Sequence, residues 1–263
     1  MRDLSLHHLM ATEVSAMALV RIAAGLDCRH VCLFTQDPGG AIGFPIVTDA
    51  ALPELRAVMD ACGVSAHGLT SFPLTAEVNV FDYAAGLERG AALGGVYANV
   101  RVVDPDESRA SDNFARLAEL AAPLGIQVGI EFMGFAAVDA LPQALRIVRA
   151  AGRGRIAIDP LHVVRTATPL AALRALDPGL IGYFQLCDGP LAASAADYGR
   201  EGAYDRLLPG EGEFPLAELV DIAPAALPIS LEVPTARWRD AGVPAAERAR
   251  RVVDAARRLL AGV

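Results

Sequence analysis

Short apolar segments alternate with longer segments of helical periodicity along nearly the whole chain. The apolar runs predict eight strands, at residues 4–10, 30–35, 64–72, 95–103, 127–132, 155–159, 181–187 and 228–233. The segments between them predict eight helices, at residues 13–25, 52–62, 79–93, 108–124, 138–151, 169–176, 215–222 and 244–260. Strands that alternate with helices are typical of parallel sheets joined by crossovers. We therefore predict a single-domain α/β protein over residues 1–263, folded as a (β/α)8 TIM barrel.

Two connecting segments are longer than the others. Residues 36–48 form a loop rich in proline and glycine after the second predicted strand, and residues 191–212 form a polar insertion after the seventh. In a TIM barrel, the connections that follow the strands surround the active site. The insertion is therefore predicted to act as a lid over that site.

Each of the last four predicted strands carries one lone polar residue near its carboxyl end, namely Glu131, Asp159, Gln185 and Glu232. Side chains alternate between the two faces of a strand, and all four polar residues lie opposite the aliphatic face of their own strand. The aliphatic faces should pack on the helices. The polar side chains should then point into the barrel and converge at its carboxyl end.

Three carboxylates that meet at one place need compensation by a cation or by raised pKa values. Carboxylate and amide oxygens are hard ligands, which suit Mn²⁺, Mg²⁺ or Co²⁺. The pattern therefore predicts one divalent metal ion, held by these four residues. For each acid alone, an ordinary helix cap or salt bridge is the alternative, but four polar residues in register favour the metal.

The composition narrows the class of partner. The chain has 263 residues, 53% of them hydrophobic, a net charge of -8 and a pI near 5.1. This charge disfavours nucleic acid and anionic membranes, so a small-molecule substrate is expected. The N-terminus lacks the layout of a signal peptide, and no apolar stretch is long enough to span a membrane. We expect a cytoplasmic protein whose four cysteines are reduced.

Four motifs, in this order and spacing, resemble the xylose-isomerase-like TIM-barrel superfamily, which includes sugar and sugar-phosphate isomerases and epimerases. They are Asp159-Pro-Leu-His162, Phe184-Gln-Leu-Cys-Asp-Gly-Pro190, Arg206-Leu-Leu-Pro-Gly-Glu-Gly212 and Leu231-Glu-Val-Pro234. The resemblance covers the chain from His7 to the last helix. It implies that the four polar strand residues bind one divalent metal and that His162 contacts the substrate or moves protons.

The chain departs from the ketose 3-epimerases of that superfamily at three positions. Those epimerases usually have His as the strand-seven ligand, where this chain has Gln185. They also carry a Glu six residues after the strand-five ligand and an Arg six residues after the strand-seven ligand, where this chain has Ala137 and Leu191. With Gln as the strand-seven ligand, the chain is more similar to the branch of the superfamily that contains the 3-dehydroshikimate dehydratases.

The resemblance implies two reactions that share their first half, in which a metal-bound carbonyl is polarised and a base removes the neighbouring proton. The candidate bases are Glu131, Glu232 and His162. Return of the proton elsewhere would make the protein an isomerase or epimerase of a sugar, sugar phosphate or related hydroxy ketone, which is the function we expect. Loss of hydroxide would instead make it a dehydratase, a lyase of the 3-dehydroshikimate dehydratase type. A non-catalytic binding barrel is the third hypothesis. The acidic pI and the five histidines argue against a DNA-repair endonuclease of the same fold.

Three further residues are candidates for contact with the substrate. Arg206, in the insertion, is suited to bind an anionic group. His67 on strand three and Asp188 after strand seven are the others, with packing and a loop cap as their alternatives. A solvated surface position is the favoured interpretation for three other arginines, Arg101, Arg165 and Arg237. Barrels of this type often pair through their outer helices, so a homodimer is expected by analogy.

Overall fold

Eight parallel strands close into a barrel in the computed structural model, which describes residues 2–39 and 43–262. The strands are β1 (Leu4–His7), β2 (His30–Phe34), β3 (Ser65–Leu74), β4 (Tyr97–Val102), β5 (Gln127–Glu131), β6 (Arg155–Ile158), β7 (Ile181–Leu186) and β8 (Ile229–Leu231). Each strand pairs with its neighbours in sequence, and β1 pairs with β8 to complete the ring. The predicted (β/α)8 TIM barrel is confirmed.

Helices follow and cover the strands of the barrel. They are α1 (Ala16–Gly25), α2 (Leu52–Cys62), α3 (Ala84–Ala92), α4 (Glu107–Ala121), α5 (Leu141–Ala150), α6 (Pro160–Arg165), α7 (Leu170–Arg174), α8 (Tyr198–Tyr204), α9 (Leu216–Ile222), α10 (Ala236–Asp240) and α11 (Ala245–Leu260). The predicted loop at 36–48 includes residues 40–42, which lie outside the described residues. Within the described part of the chain, no helix combines the length and the apolarity needed to cross a membrane.

Helix α6 differs from the prediction, which placed this segment in a loop. Asp159 caps the helix, since its Oδ1 accepts a hydrogen bond of 2.8 Å from the Leu161 amide. Pro160 follows at the first helical position, where its missing N–H costs nothing. His162 therefore sits on a short, fixed helix instead of a loop. The insertion likewise contains a helix, α8, which the sequence pattern did not predict.

The alternation of faces along the strands is confirmed. Val128, Ile130 and Ile156 belong to the main core between strands and helices. Tyr97, Tyr183, Ala157 and Cys32 form a separate cluster inside the barrel. The two tyrosine rings stack at 4.9 Å between centroids, and the Tyr183 hydroxyl donates to Ser230 Oγ at 2.9 Å. These aromatic rings fill the barrel beneath its carboxyl end.

Glycine at position 129 makes room for this stack. A Cβ built there would overlap the Tyr97 hydroxyl, and the Tyr97 ring is fully buried. We expect Gly129→Ala to destabilise the protein by about 1–3 kcal/mol, because the core must shift to accept one methyl group. The midpoint of urea unfolding measures the change.

A matched control is Gly25→Ala, at the end of α1, where an added Cβ meets open space. That substitution should change the free energy of unfolding by no more than about 0.5 kcal/mol. Equal effects of the two substitutions would show that packing on Tyr97 does not limit position 129.

Candidate active site

A cavity of 240 Å³ opens at the carboxyl end of the barrel. Four of the residues predicted for the site line it, namely Glu131, His162, Arg206 and Glu232. Asp159 and Gln185 lie directly beneath and contact these residues. The structure therefore brings all four predicted metal ligands and the predicted histidine to one place.

Glu131 ends β5, and each of its carboxylate oxygens lies near one polar side chain. The Asn99 side chain on the neighbouring strand donates from Nδ2 to Glu131 Oε2. His162 Nε2 lies 3.7 Å from Glu131 Oε1. Asn99 was not predicted for the site, although, like the other residues, it lies opposite the aliphatic face of its strand.

Asp159 combines two roles at the end of β6. One oxygen caps α6, and the other accepts a hydrogen bond of 2.6 Å from Arg206 Nη1. Burial alone would raise the pKa of Asp159, but the Arg206 guanidinium outweighs it and lowers this pKa to about 2. Asp159 is therefore an ionised, fully buried carboxylate at neutral pH.

Gln185 and Glu232 form the third side of the cluster. Gln185 donates from Nε2 to Glu232 Oε2, whereas its Oε1 is buried and has no hydrogen-bond partner in the described structure. His7 Nε2 lies 3.5 Å from Glu232 Oε1. Only one of the neighbouring residues His7 and His8 could face the barrel, and it is His7, which lines the cavity.

Burial decides the charge state of the remaining groups. Burial, and then the negative charge of Asp159, raise the pKa of Glu131 to about 7. Burial also raises the pKa of Glu232 well above its usual range, despite the nearby Arg206. Burial lowers the pKa of His162 to about 4 and that of His7 to about 3. Both histidines are therefore neutral at pH 7.

The donor set fits a divalent cation. One ligand atom from each of Glu131, Asp159 and His162 lies within 4.8 Å of the others. The unpartnered amide oxygen of Gln185 supplies a further donor, because a buried acceptor without a hydrogen bond is unfavourable unless a ligand completes it. Oxygen and imidazole donors together suit a hard or borderline divalent metal.

Residues 20–259 match the sequence profile of the family described as xylose isomerase-like TIM barrel. The chain belongs to this family. No curated protein sequence matches the chain. The comparison with solved structures, by contrast, finds many barrels of the same fold.

Three solved structures show the likeness. An IolI protein with a bound zinc atom is 16% identical, covers 100% of this chain and 99% of its own, and has a TM-score of 0.83. D-psicose 3-epimerase from Clostridium cellulolyticum H10 is 14% identical, with 99% of each chain covered and a TM-score of 0.75. D-allulose 3-epimerase from Methylomonas sp. is 15% identical, with 98% and 97% covered and a TM-score of 0.72. At these identities the likeness shows the shared fold.

Two predicted substrate contacts of this xylose isomerase-like barrel lie elsewhere. His67 stacks on the Tyr183 ring at 5.7 Å, in the interior layer below the cluster. Asp188 accepts hydrogen bonds from the backbone amides of Gly189, Gly210, Gly212 and Phe214. Neither residue belongs to the described cavity lining. Asp188 instead fixes the base of the insertion, which corresponds to the loop-cap alternative.

Arg206 is the contribution of the insertion to the cluster. Its Nη1 lies 2.6 Å from Asp159 and 3.4 Å from Glu232, and its other nitrogens donate to the Gly202 carbonyl. The side chain is almost completely buried. Arg206 therefore neutralises the carboxylates as well as lying on the cavity wall, and its predicted contact with substrate stays a prediction.

Arg165 fastens the insertion to the barrel, and the surface position predicted for it is wrong. Its Nε and Nη2 donate to the two oxygens of Glu201 at 2.7 and 2.6 Å. It also donates to the carbonyls of Pro190 and Leu191. Because Arg165 ends α6 and Glu201 lies on α8, this clamp joins the helix after Asp159 to the helix that carries Gly202.

We expect Glu201→Gln to loosen α8, because it replaces a charge-assisted bidentate pair with a neutral one. Amide hydrogen exchange in residues 198–204 should accelerate by about tenfold, with smaller changes in the barrel strands. The control is Arg200→Gln on the same helix, whose side chain is 72% exposed. Equal exchange in the two variants would contradict the clamp.

Cation affinity should depend on pH because of the raised pKa values of Glu131 and Glu232. As pH falls through about 7, Glu131 takes up a proton that a metal must displace, and the raised pKa of Glu232 acts in the same direction, so affinity falls as pH falls. Each displaced proton should weaken binding by about tenfold per pH unit in this range. Calorimetric titration with Mn²⁺ between about pH 8 and about pH 6 measures the slope. The slope should be shallower in Glu131→Gln. A cation affinity that does not change with pH would contradict the assignment of Glu131 and Glu232 as metal ligands.

Proposed function

We propose that this protein is a divalent-metal-dependent isomerase or epimerase of a small hydroxy ketone, such as a sugar or sugar phosphate. The observation that carries the proposal is the pairing of two buried histidines with two buried glutamates along one cavity. His162 lies beside Glu131, and His7 lies beside Glu232. An isomerase removes a proton at one position and returns it at another, so two separate proton-carrying pairs suit the reaction.

The four predicted ligands would hold the cation, which when bound supplies Lewis-acid polarisation of the substrate carbonyl. The chain itself orients those ligands. Asn99 fixes the carboxylate plane of Glu131, and Gln185 does the same for Glu232. Such outer hydrogen bonds hold ligand side chains in one orientation.

Proton transfer falls to the neutral histidines and their glutamate partners. His162 is neutral at pH 7 and can accept a proton at Nε2, next to Glu131 Oε1. His7 offers the equivalent group at Nε2, next to Glu232 Oε1. In each pair the carboxylate stabilises the imidazolium that forms, since an opposite charge nearby favours the charged state.

The cavity also limits the size of the substrate. Phe34, Phe44 and Phe135 line it, and α8 contributes Gly199 and Gly202 to its wall. At 240 Å³ it lies below the usual range of about 300–1,000 Å³ for ligand sites. A small substrate is therefore favoured. The epimerases among the similar structures support a ketone substrate.

One observation favours a second candidate, a dehydratase. Gln185 stands at the strand-seven position, and its amide oxygen is free of other partners in the described structure. A Gln ligand at this position resembles the 3-dehydroshikimate dehydratase branch. Both reactions begin with removal of a proton next to the carbonyl, and they differ in whether hydroxide then leaves.

Deuterium exchange tests the shared first half. The protein, loaded with Mn²⁺, Mg²⁺ or Co²⁺, is incubated with a panel of ketoses and dehydroshikimate-like ketones in D₂O and followed by NMR. We expect exchange next to the carbonyl, followed by a new isomer. At a saturating concentration of metal, His162→Gln should lower the exchange rate by about 100-fold or more. Growth of conjugated-product absorbance instead of a new isomer would favour the dehydratase.

Metal content provides the control for this experiment. Glu131→Gln and Glu232→Gln should both weaken cation binding, whereas Glu54→Gln, at an exposed position on α2, should leave it unchanged. If the folded wild type binds no divalent cation and the two site variants behave like it, the proposal fails. The barrel would then be a binding protein without this chemistry.

A further inference from the structure

We infer that Arg101 forms an anion subsite in the cavity and binds a carboxylate group carried by the hydroxy ketone. Arg101 lies on β4, in register with Pro73 on β3 and Glu131 on β5. It lines the cavity together with Glu131 and His162. The sequence analysis predicts a solvated surface position for Arg101, and that prediction is wrong. The inference rests on the proposed function, since it adds a charged group to the substrate class named there.

The guanidinium of Arg101 has unused hydrogen-bonding capacity. Nη2 donates one long bond of 3.3 Å to the Pro38 carbonyl. Nε is buried and has no partner in residues 2–39 and 43–262. A buried N–H without a partner is unfavourable. A ligand oxygen that accepts from this group would therefore gain both the hydrogen bond and the charge interaction.

The other arginine of the cavity is engaged. Arg206 donates to Asp159 and to the Gly202 carbonyl, and it also lies 3.4 Å from Glu232. By contrast, no carboxylate of the described residues lies within ion-pair distance of Arg101; in the cavity, Glu131 is instead bonded to Asn99. The two arginines carry the same charge, but only Arg101 offers a guanidinium edge to a ligand.

The charge balance of the cavity points the same way. A divalent cation and Arg206 together balance the three carboxylates of the cluster. The charge of Arg101 is then left over, so the complete site is complementary to a monoanion. The apolar walls at Phe34 and Phe44 strengthen such an ion pair by keeping water away.

A carboxylate suits this subsite better than a phosphate. One planar guanidinium matches one planar carboxylate with two parallel hydrogen bonds. A phosphate dianion would need a second cation or a set of backbone amides. The other polar groups on this side of the cavity are the hydroxyl-bearing residues Thr70 and Ser71 of β3, which supply no charge.

Three six-carbon ketones form a matched set of probes: 5-keto-D-gluconate, D-fructose and D-fructose 6-phosphate. Calorimetry on the Mn²⁺-loaded wild type should give a Kd for the keto acid that is lower than that for fructose by about tenfold or more. Arg101→Gln should remove this preference and leave the Kd for fructose unchanged when Mn²⁺ is saturating. Arg101→Lys should retain part of the preference, because it keeps the charge but loses the fork.

The control variant is Arg56→Gln, at an exposed position on α2, which should behave as wild type. Absence of keto-acid binding, equal binding of the keto acid and fructose, or a preference that survives Arg101→Gln, overturns the inference. An Arg101-dependent preference for fructose 6-phosphate over the keto acid also overturns it, in favour of a phosphate subsite. Deuterium exchange separates this failure from failure of the proposed function. Deuterium exchange without a preference for the keto acid supports the proposed reaction and overturns the subsite. A preference for the keto acid without deuterium exchange supports the subsite and contradicts the proposed reaction.

Discussion

Three carboxylates buried at one end of an apolar barrel must be neutralised, and the rest of the site follows from this requirement. Isolated charges in such surroundings would be too costly to keep. The protein meets the requirement in part with Arg206, which lowers the pKa of Asp159. Glu131 and Glu232 remain incompletely compensated, and their raised pKa values record that shortage. A divalent cation would complete the balance, so the electrostatics of the cluster suit one.

The requirement also links the site to the insertion. Arg206 reaches the cluster only when the insertion is folded against the barrel, because its guanidinium is held by the Gly202 carbonyl of α8. That helix is in turn fastened by the pair of Arg165 and Glu201. Asp188 organises the other end of the same segment through backbone amides. The insertion is therefore part of the charge balance, and its displacement from the barrel would leave Asp159 without its partner.

The alternation of strands and helices predicts the barrel. Strand parity predicts the convergence of its four polar strand residues, because the two-residue repeat fixes which side chains face inward. The partners of those residues were out of reach. Nothing in the local sequence shows that Arg206 meets Asp159, forty-seven positions away, or that Arg165 is buried against Glu201. The sequence pattern does not predict α6, because this helix begins at a cap formed by Asp159 and the pattern assigns Asp159 to the preceding strand. The same two-residue repeat also predicts that Asn99 faces inward.

The two cavity arginines differ in their bonding, and this difference explains why sequence motifs alone do not identify the substrate. Arg206 belongs to a motif that carries the family resemblance, yet its guanidinium is committed to the carboxylates. Arg101 stands in no motif, yet its guanidinium edge is the one with an unsatisfied buried N–H. Groups that would serve the proposed chemistry are hydrogen-bonded to the buried carboxylates and to each other. Groups that select the substrate must stay unpaired until it binds, so within this fold specificity is to be sought among incompletely bonded residues of β3 and β4.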